Sequence, residues 1–309
     1  MPASPSALSG LELRCPPMPE TLLEALTLSK QPDRVTPASV TAMLQKDPLA
    51  VAWLLKMANS SLHGLRRGIS TPERAVLMLG PMQVLGLVVG MSMLRLRSAL
   101  SGPAGPSFNR LIRHSVAAGH LARFLVEELP AQHGAAPKAS LKGVGMTAGL
   151  LHDFGKIVLV YNFPDKAVPL YDQYGLTETD VAALQERERH LFGCDHTEAG
   201  VFAANELDFP DMLAQVIHFH HRPSQVPGDA AMRHLVATSS LADLAARALG
   251  YAFTAPCSQE TCRADPMWAH YLPFAPAAIG APEQLADAVF ALKEHLDQQV
   301  QSFSPPSMA

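Results

Sequence analysis

GLLHDFGKIVLVY, Gly149 to Tyr161, is the stretch from which the rest of the chain is read. At its centre His152 and Asp153 are adjacent, and Lys156 follows three residues later. The flanking residues are apolar, so the pair sits where Leu or Val would bury at lower cost. A charge buried without a partner is strongly unfavourable. The stretch therefore asks whether other segments supply partners for a shared site. The run Lys156 to Tyr161 is β-branched enough to suggest a strand. No neighbouring segment offers a comparable second strand, so it reads as helix or turn-helix.

Working outward, ligand-type residues recur on helix-patterned segments. A helix from about Phe108 to Leu129 carries Leu111, Ala118, Leu121 and Leu125 on one face, and His114 lies on that face. Towards the C-terminus, ETDVAALQERERHLFG reads as a polar amphipathic helix ending at Gly193. Asp195 and Glu198 form a capping-box start that places His196 in the first turn of the next helix. MLAQVIHFHH follows, with Leu213, Val216, Ile217 and His220 on one face, His221 beside it, and His218 turned towards solvent. LVATSSLADLAARAL is again helical, with Asp243 adjoining the side that holds Leu235, Ser239, Ala242 and Ala246. Glu188 reads as a cap or salt-bridge residue. Of the 13 histidines, six fall between His190 and His234.

The N-terminal third lacks such a cluster. Residues 1–11 are small and polar and are expected to be disordered. A helix follows CPPMPE, and Thr36-Pro37, Asp47-Pro48 and Thr71-Pro72 mark three further helix starts. Gly80-Pro81 interrupts the next apolar run, and Gly86 and Gly90 suggest close helix packing. Lone His63 reads as a solvated or capping residue near a turn. SGPAGPS, residues 101–107, is the best internal boundary. The expected organisation is all-α and two-lobed: an N-terminal helical lobe over 12–105, a helical bundle over 106–255, and a link, a helix from about Pro282 to Val300 and a tail over 256–309.

Bulk properties limit the function classes. Hydrophobic residues make up 48% of the 309 and charged residues 17%, enough for a sizeable core. A net charge of −4 gives no global basic field for nucleic acid. No apolar run reaches the roughly 20 residues of a membrane span. The first residues lack the basic start and apolar core of a signal peptide. Cys15, Cys194, Cys257 and Cys262 are scattered, as expected of reduced thiols in a cytoplasmic protein. Cys257 and Cys262 lack the second pair that a zinc site needs.

His114, His152, Asp153, His196, His220, His221 and Asp243 come from five helices. If these pack as a bundle, their inner faces converge, as metal sites in bundle cores do. Imidazole plus carboxylate suits divalent Fe, Mn, Co, Ni or Zn. Seven ligands suit either a two-metal site or one metal with supporting histidines.

The order H…HD…H…HH…D resembles the HD phosphohydrolase superfamily, and the HDxxK stretch with the His-His pair and late Asp is similar to the HD-GYP cyclic-dinucleotide phosphodiesterases. Over about residues 12–250, however, the chain resembles the HDOD domain (HD-related output domain) of bacterial signalling proteins. The resemblance is carried by CPPMPETLLEAL, LQKDPLAVAWLLKMANSSLHGLRRGISTPERAVLMLG, GLLHDFGKIVL and ERERHLFGCDHTEAGVFAANELDFPDMLAQVIHFHHRP. It implies two helical lobes and a signalling or regulatory role, with partner proteins acting in trans and a nucleotide-like ligand at the HD-like core. Many members lack part of the metal motif, whereas here each ligand position is filled. Lys156 matches the lysine that faces substrate phosphate in the phosphodiesterases. RPSQVPGD stands where the HD-GYP enzymes carry their Gly-Tyr-Pro loop, which counts against cyclic-di-GMP hydrolysis. If the chain is an enzyme, the resemblance implies a metal-dependent phosphohydrolase in which Asp153 would bridge the metals and orient the attacking hydroxide and Lys156 would stabilise the phosphoryl oxygens. A scaffold with unused ligand positions is the third alternative.

Overall fold

A computed structural model describes residues 12–61, 69–96, 105–134, 141, 143–173, 181–253 and 257–303. Among these residues every regular element is helical. The first group is α1 (Glu20–Ser29), α2 (Pro37–Gln45), α3 (Pro48–Ser61), α4 (Pro72–Leu79) and α5 (Pro81–Arg95). Then come α6 (Gly105–Arg123), extended through a π-helical turn at Phe124–Glu128 into α7 (Leu129–Gln132), α8 (Val144–Leu151) and α9 (Phe154–Asn162). The chain continues with α10 (Pro164–Gln173), α11 (Val181–Phe192), α12 (His196–Glu206), α13 (Asp211–Phe219) and α14 (Ala230–Ala248). It closes with α15 (Gln259–Arg263), α16 (Met267–Tyr271), α17 (Pro282–Phe290) and α18 (Lys293–Ser302).

The helix starts follow the cap residues. Thr36 accepts a hydrogen bond from the Ser39 amide ahead of α2, and Thr71 accepts one from Arg74 ahead of α4. Asp47 accepts from the amides of Leu49 and Ala50 at the start of α3, while Arg95 of α5 and Thr21 of α1 also bond its carboxylate. One acidic cap thus ties three helices together. At Gly80 the chain bends by 112° between α4 and α5, so no single described helix is long and apolar enough to cross a membrane.

α8 is the central helix. Every residue from Gly145 to Leu151 is buried, the pattern of a helix surrounded by others rather than one with a wet face. α5, α6, α13 and α14 pack on it. Gly86 and Gly90 of α5 lie against Met146, Thr147 and Leu150 of α8, which is the close packing expected of them. Gly149 lets α8 approach α6 closely, because a Cβ there would sit 2.5 Å from the Ala118 carbonyl oxygen. α18 returns to the start of the chain: Phe303, just after it, meets the Trp53 ring at 4.5 Å, and the Ser302 hydroxyl lies 3.3 Å from the Met57 sulfur. The buried apolar residues form one continuous cluster from Leu13 to Phe303.

Three expectations need correction. α6 begins at Gly105 rather than Phe108, so only 101–104 of the Gly/Pro-rich boundary lies outside the described residues. The helix expected over 282–300 is two, broken at Ala291-Leu292 so that Leu285, Val289, Leu296 and Val300 can all reach the core. The 252–281 link contains the two short helices α15 and α16. Residues 1–11 and His63 lie outside the described residues.

Candidate metal centre

His152 and Asp153 form the turn between α8 and α9, and neither is exposed. α9 crosses α12 at Gly155, where a Cβ would sit 1.7 Å from the His196 carbonyl oxygen. This contact brings the first turn of α12 against the turn that carries Asp153. The capping box at Asp195 and Glu198 fixes that first turn, with Asp195 accepting from the amides of Thr197 and Glu198. His220 caps the end of α13, His221 follows it, His114 comes from the middle of α6, and Asp243 from α14.

All seven residues meet. Their ligand atoms form two groups, each within 4.8 Å: His114, His152 and Asp243, and then Asp153, His196, His220 and His221. Asp153 stands between them. Its Oδ2 faces the first group, 3.6 Å from His114 Nε2 and 3.4 Å from His152 Nε2. Its Oδ1 faces the second, 3.7 Å from His196 Nε2 and 3.5 Å from His220 Nε2. Asp243 Oδ1 lies 3.2 Å from His114 Nε2, and His221 Nε2 lies 3.0 Å from His196 Nε2.

The tautomers follow from the outer contacts. Nδ1 of His114 bonds the Tyr251 carbonyl at 2.8 Å, Nδ1 of His152 that of Gly149 at 2.7 Å, and Nδ1 of His220 that of Ile217 at 3.0 Å. Nδ1 of His196 bonds Glu188 Oε2 at 2.6 Å. Carbonyl and carboxylate oxygens only accept, so each Nδ1 carries its proton, which leaves Nε2 as the inward nitrogen through which each ring would ligate. The consequence is a ring of imidazole Nε2 atoms and carboxylate oxygens facing each other: His114 Nε2 and His152 Nε2 are 3.3 Å apart. Buried Asp153 Oδ1 and His220 Nε2 make no hydrogen bond. Imidazole nitrogens and carboxylate oxygens converging in this way are a donor set that fits divalent first-row metals.

Charge within the cluster is set by burial against these neighbours. Burial disfavours the Asp153 carboxylate, but Lys156 and His152 outweigh it and hold the group ionised, well below the usual carboxylate range. Asp243 is likewise held down, with Arg247 and His114 overcoming burial. Burial opposes protonation of His152, yet Asp153 beside it raises its pKa. Burial dominates at His220, pushed down to about 4, and at His221, where His220 and His196 add to it. Neutral imidazoles and ionised carboxylates are the forms that ligate metal.

Lys156 is also buried, and its Nζ donates to Asp153 Oδ2 at 2.6 Å. The cluster is nearly closed: side-chain exposure is 8% at Asp243 and 9% at His221, and His152, Asp153, His196 and His220 have none. Three residues carry features that the pattern of the sequence did not disclose. Glu188 is completely buried and bonds the His196 amide, His196 Nδ1 and the Tyr171 hydroxyl, so besides capping the start of α12, as expected, it orients a candidate ligand. Tyr251 contributes only its carbonyl, which has no signature in the residue type. His218 is half-buried against Phe219 rather than turned out to solvent.

The HDOD domain family model matches residues 15–223, a span that holds every residue of the cluster except Asp243. Solved structures share the fold. An HDOD domain protein from Geobacter sulfurreducens superposes with a TM-score of 0.71 at 23% identity, covering 96% of this chain and 94% of its own. A candidate signal transduction protein from Marinobacter aquaeolei VT8 gives 0.69 at 20% identity, covering 97% of this chain and 64% of its own. A candidate metal-dependent phosphohydrolase from Shewanella amazonensis SB2B gives 0.60 at 15% identity, with 96% and 94% covered. A protein of Treponema pallidum (strain Nichols) is 23% identical over 239 residues, 76% of this chain, and the chain spans 42% of that relative's length.

Proposed function

Since the chain belongs to the HDOD domain family, we propose that it is a bacterial signal-transduction module whose HD-like core holds one or two divalent transition metals and acts by binding. The observation that carries this reading is the inward ring of Nε2 atoms around Asp153, with each outer nitrogen of His114, His152, His196 and His220 already engaged. His114, His152 and Asp243 would hold one ion, His196, His220 and His221 a second, and Asp153 would serve both. A bound divalent ion supplies Lewis-acid polarisation of a phosphoryl oxygen and lowers the pKa of water. The closed cluster favours a regulatory or ligand-sensing centre over open turnover. In this reading residues 12–105 form the lobe that contacts a signalling protein in trans, 106–255 the metal-binding lobe, and 256–309 a C-terminal brace, in a cytoplasmic protein that binds neither membrane nor nucleic acid.

A second reading, a metal-dependent phosphohydrolase acting on a nucleotide or cyclic dinucleotide, is favoured by one observation. Lys156 stands at the cluster with its ammonium on Asp153, where it could turn to a phosphoryl oxygen. The two are separated by screening metal-loaded protein against cyclic dinucleotides, nucleotides and a generic phosphodiester, with binding and turnover measured together. Saturable binding without turnover supports the sensing module. Turnover abolished by Asp153→Ala supports the hydrolase.

A further inference from the structure

The segment after α14 touches the cluster and the C-terminal helix at once. α14 ends in a Schellman-type turn: the Tyr251 amide bonds Ala246 O at 2.9 Å, the Gly250 amide bonds Arg247 O at 3.3 Å, and Gly250 takes a φ of +89°. This turn directs the Tyr251 carbonyl at His114 Nδ1, 2.8 Å away. The Tyr251 side chain runs the other way. Its hydroxyl donates to Asp297 of α18, and its ring has the ammonium of Lys293 5.1 Å from its centre and the guanidinium of Arg113 5.9 Å away. Two residues on, Phe253 packs on Tyr171 with ring centres 5.0 Å apart, and Tyr171 bonds the Glu188 that holds His196. α18 in turn packs on α3 and α6.

We infer that Tyr251 is a positioning residue that links the seating of α18 to the orientation of His114, so that release of α18 loosens one side of the candidate metal centre. The inference rests on the metal-binding reading but adds to it a route by which a contact on the C-terminal helix reaches the site. A carbonyl that accepts from the outer nitrogen of a metal-binding histidine fixes the ring's direction, and loss of such a partner typically weakens metal binding by about 10–100-fold. The phenol anchors that carbonyl from outside the cluster. Coupling of this kind is reciprocal: if α18 supports metal binding, metal binding must support α18.

The test uses the full chain with Co²⁺ as the probe. Tyr251→Phe and Asp297→Ala remove the anchor, Asp297→Asn keeps an acceptor for the phenol, and Lys293→Gln removes the ammonium that pairs with Asp297 and lies over the ring while leaving the phenol's hydrogen bond in place. The expected result is about tenfold weaker Co²⁺ binding and an altered visible spectrum for the first two variants, with near wild-type behaviour for the last two. Co²⁺ should also slow amide exchange in α18 of the wild type and much less in Tyr251→Phe. In parallel, the His114 Nδ1 proton of the metal-free protein is followed by NMR: it should be protected in the wild type and exchange faster in Tyr251→Phe. Unchanged affinity and spectrum in Tyr251→Phe would overturn the inference while leaving the metal site intact. A wild type that takes up no Co²⁺ overturns the metal reading instead. The His114 proton then decides separately whether Tyr251 positions that ring, and equal protection in both proteins sinks the inference.

Discussion

Replacing Gly155 by Ala should damage the proposed metal centre without touching any of its side chains. The new methyl would lie 1.7 Å from His196 O and 2.6 Å from the Gly200 amide nitrogen, both backbone atoms that cannot rotate away. Reaching even a 3.0 Å contact requires α9 and α12 to separate by about 1.3 Å. Metal–ligand distances tolerate only about 0.2 Å, so the shift exceeds the tolerance several-fold, and it falls on the first turn of α12, which carries His196. Overpacking of this kind costs about 3 kcal/mol, offset by up to about 1 kcal/mol from the better helix propensity of Ala, for a net loss of about 2 kcal/mol. Loss of one ligand from its place should weaken metal binding by about 100-fold, the upper end of the range for outer contacts. The assay is Co²⁺ or Zn²⁺ titration alongside urea unfolding. Gly86→Ala on α5 is the control: its nearest contact is Thr147 Oγ1 at 3.2 Å, so it should leave metal binding unchanged and stability within about 1 kcal/mol. A folded Gly155→Ala protein that binds metal as tightly as wild type would refute the claim that this helix crossing sets the site.

Glu188→Gln keeps the size of the side chain but removes the charge that orients His196, and should weaken metal affinity by about tenfold with little change in melting temperature; isothermal titration measures the first and calorimetry the second. Asp47→Ala removes the α3 cap and its bonds to Arg95 and Thr21, at a cost of about 2 kcal/mol near neutral pH. Because Arg95 holds the Asp47 carboxyl below its ordinary pKa, that contribution is present above about pH 4 and is lost in more acid solution, so the gap between wild type and variant should close there. Buried His120 has no hydrogen bond on either ring nitrogen, and burial, with Arg123 and His295 nearby, pushes its pKa down to about 3. The unfolded chain therefore takes up a proton near pH 6.5 that the folded chain refuses, and stability falls as pH drops from there towards 3. Between pH 7.5 and 5 the loss from this group is about 2 kcal/mol, and His120→Leu should be less acid-sensitive than wild type by that amount in denaturant titrations at the two pH values.

What the residues disclosed and what they concealed divides along local and non-local physics. Helix starts were legible because caps are local: Thr36, Thr71 and Asp195 each bond an amide within three residues. The absence of strand pairing was legible because Lys156 to Tyr161 had no partner run, and it forms α9. The break at Ala291-Leu292 was hidden, since neither residue disfavours helix and only the need to bury both flanks bends the chain. The hold of Glu188 on the His196 ring was hidden because that partner lies across the Gly193 turn, where helix periodicity no longer predicts direction. Gly155 was silent for a similar reason: a glycine in a helix signals close approach only once the crossing helix is known. Helical spacing placed His114 and Asp243 on buried faces, but their meeting with Asp153 depends on how α6, α8 and α14 pack, which no single segment encodes.

The most direct test of the metal centre is elemental analysis of the chain purified without added metal, repeated after chelation and reloading, with Asp153→Ala carried through the same steps. The proposed centre predicts one or two equivalents of a divalent transition metal per chain, lost on chelation, regained on reloading with a rise in melting temperature, and absent from Asp153→Ala. A wild-type chain that carries no metal, takes none up from Mn²⁺, Fe²⁺, Co²⁺, Ni²⁺ or Zn²⁺, and melts at the same temperature throughout would contradict it.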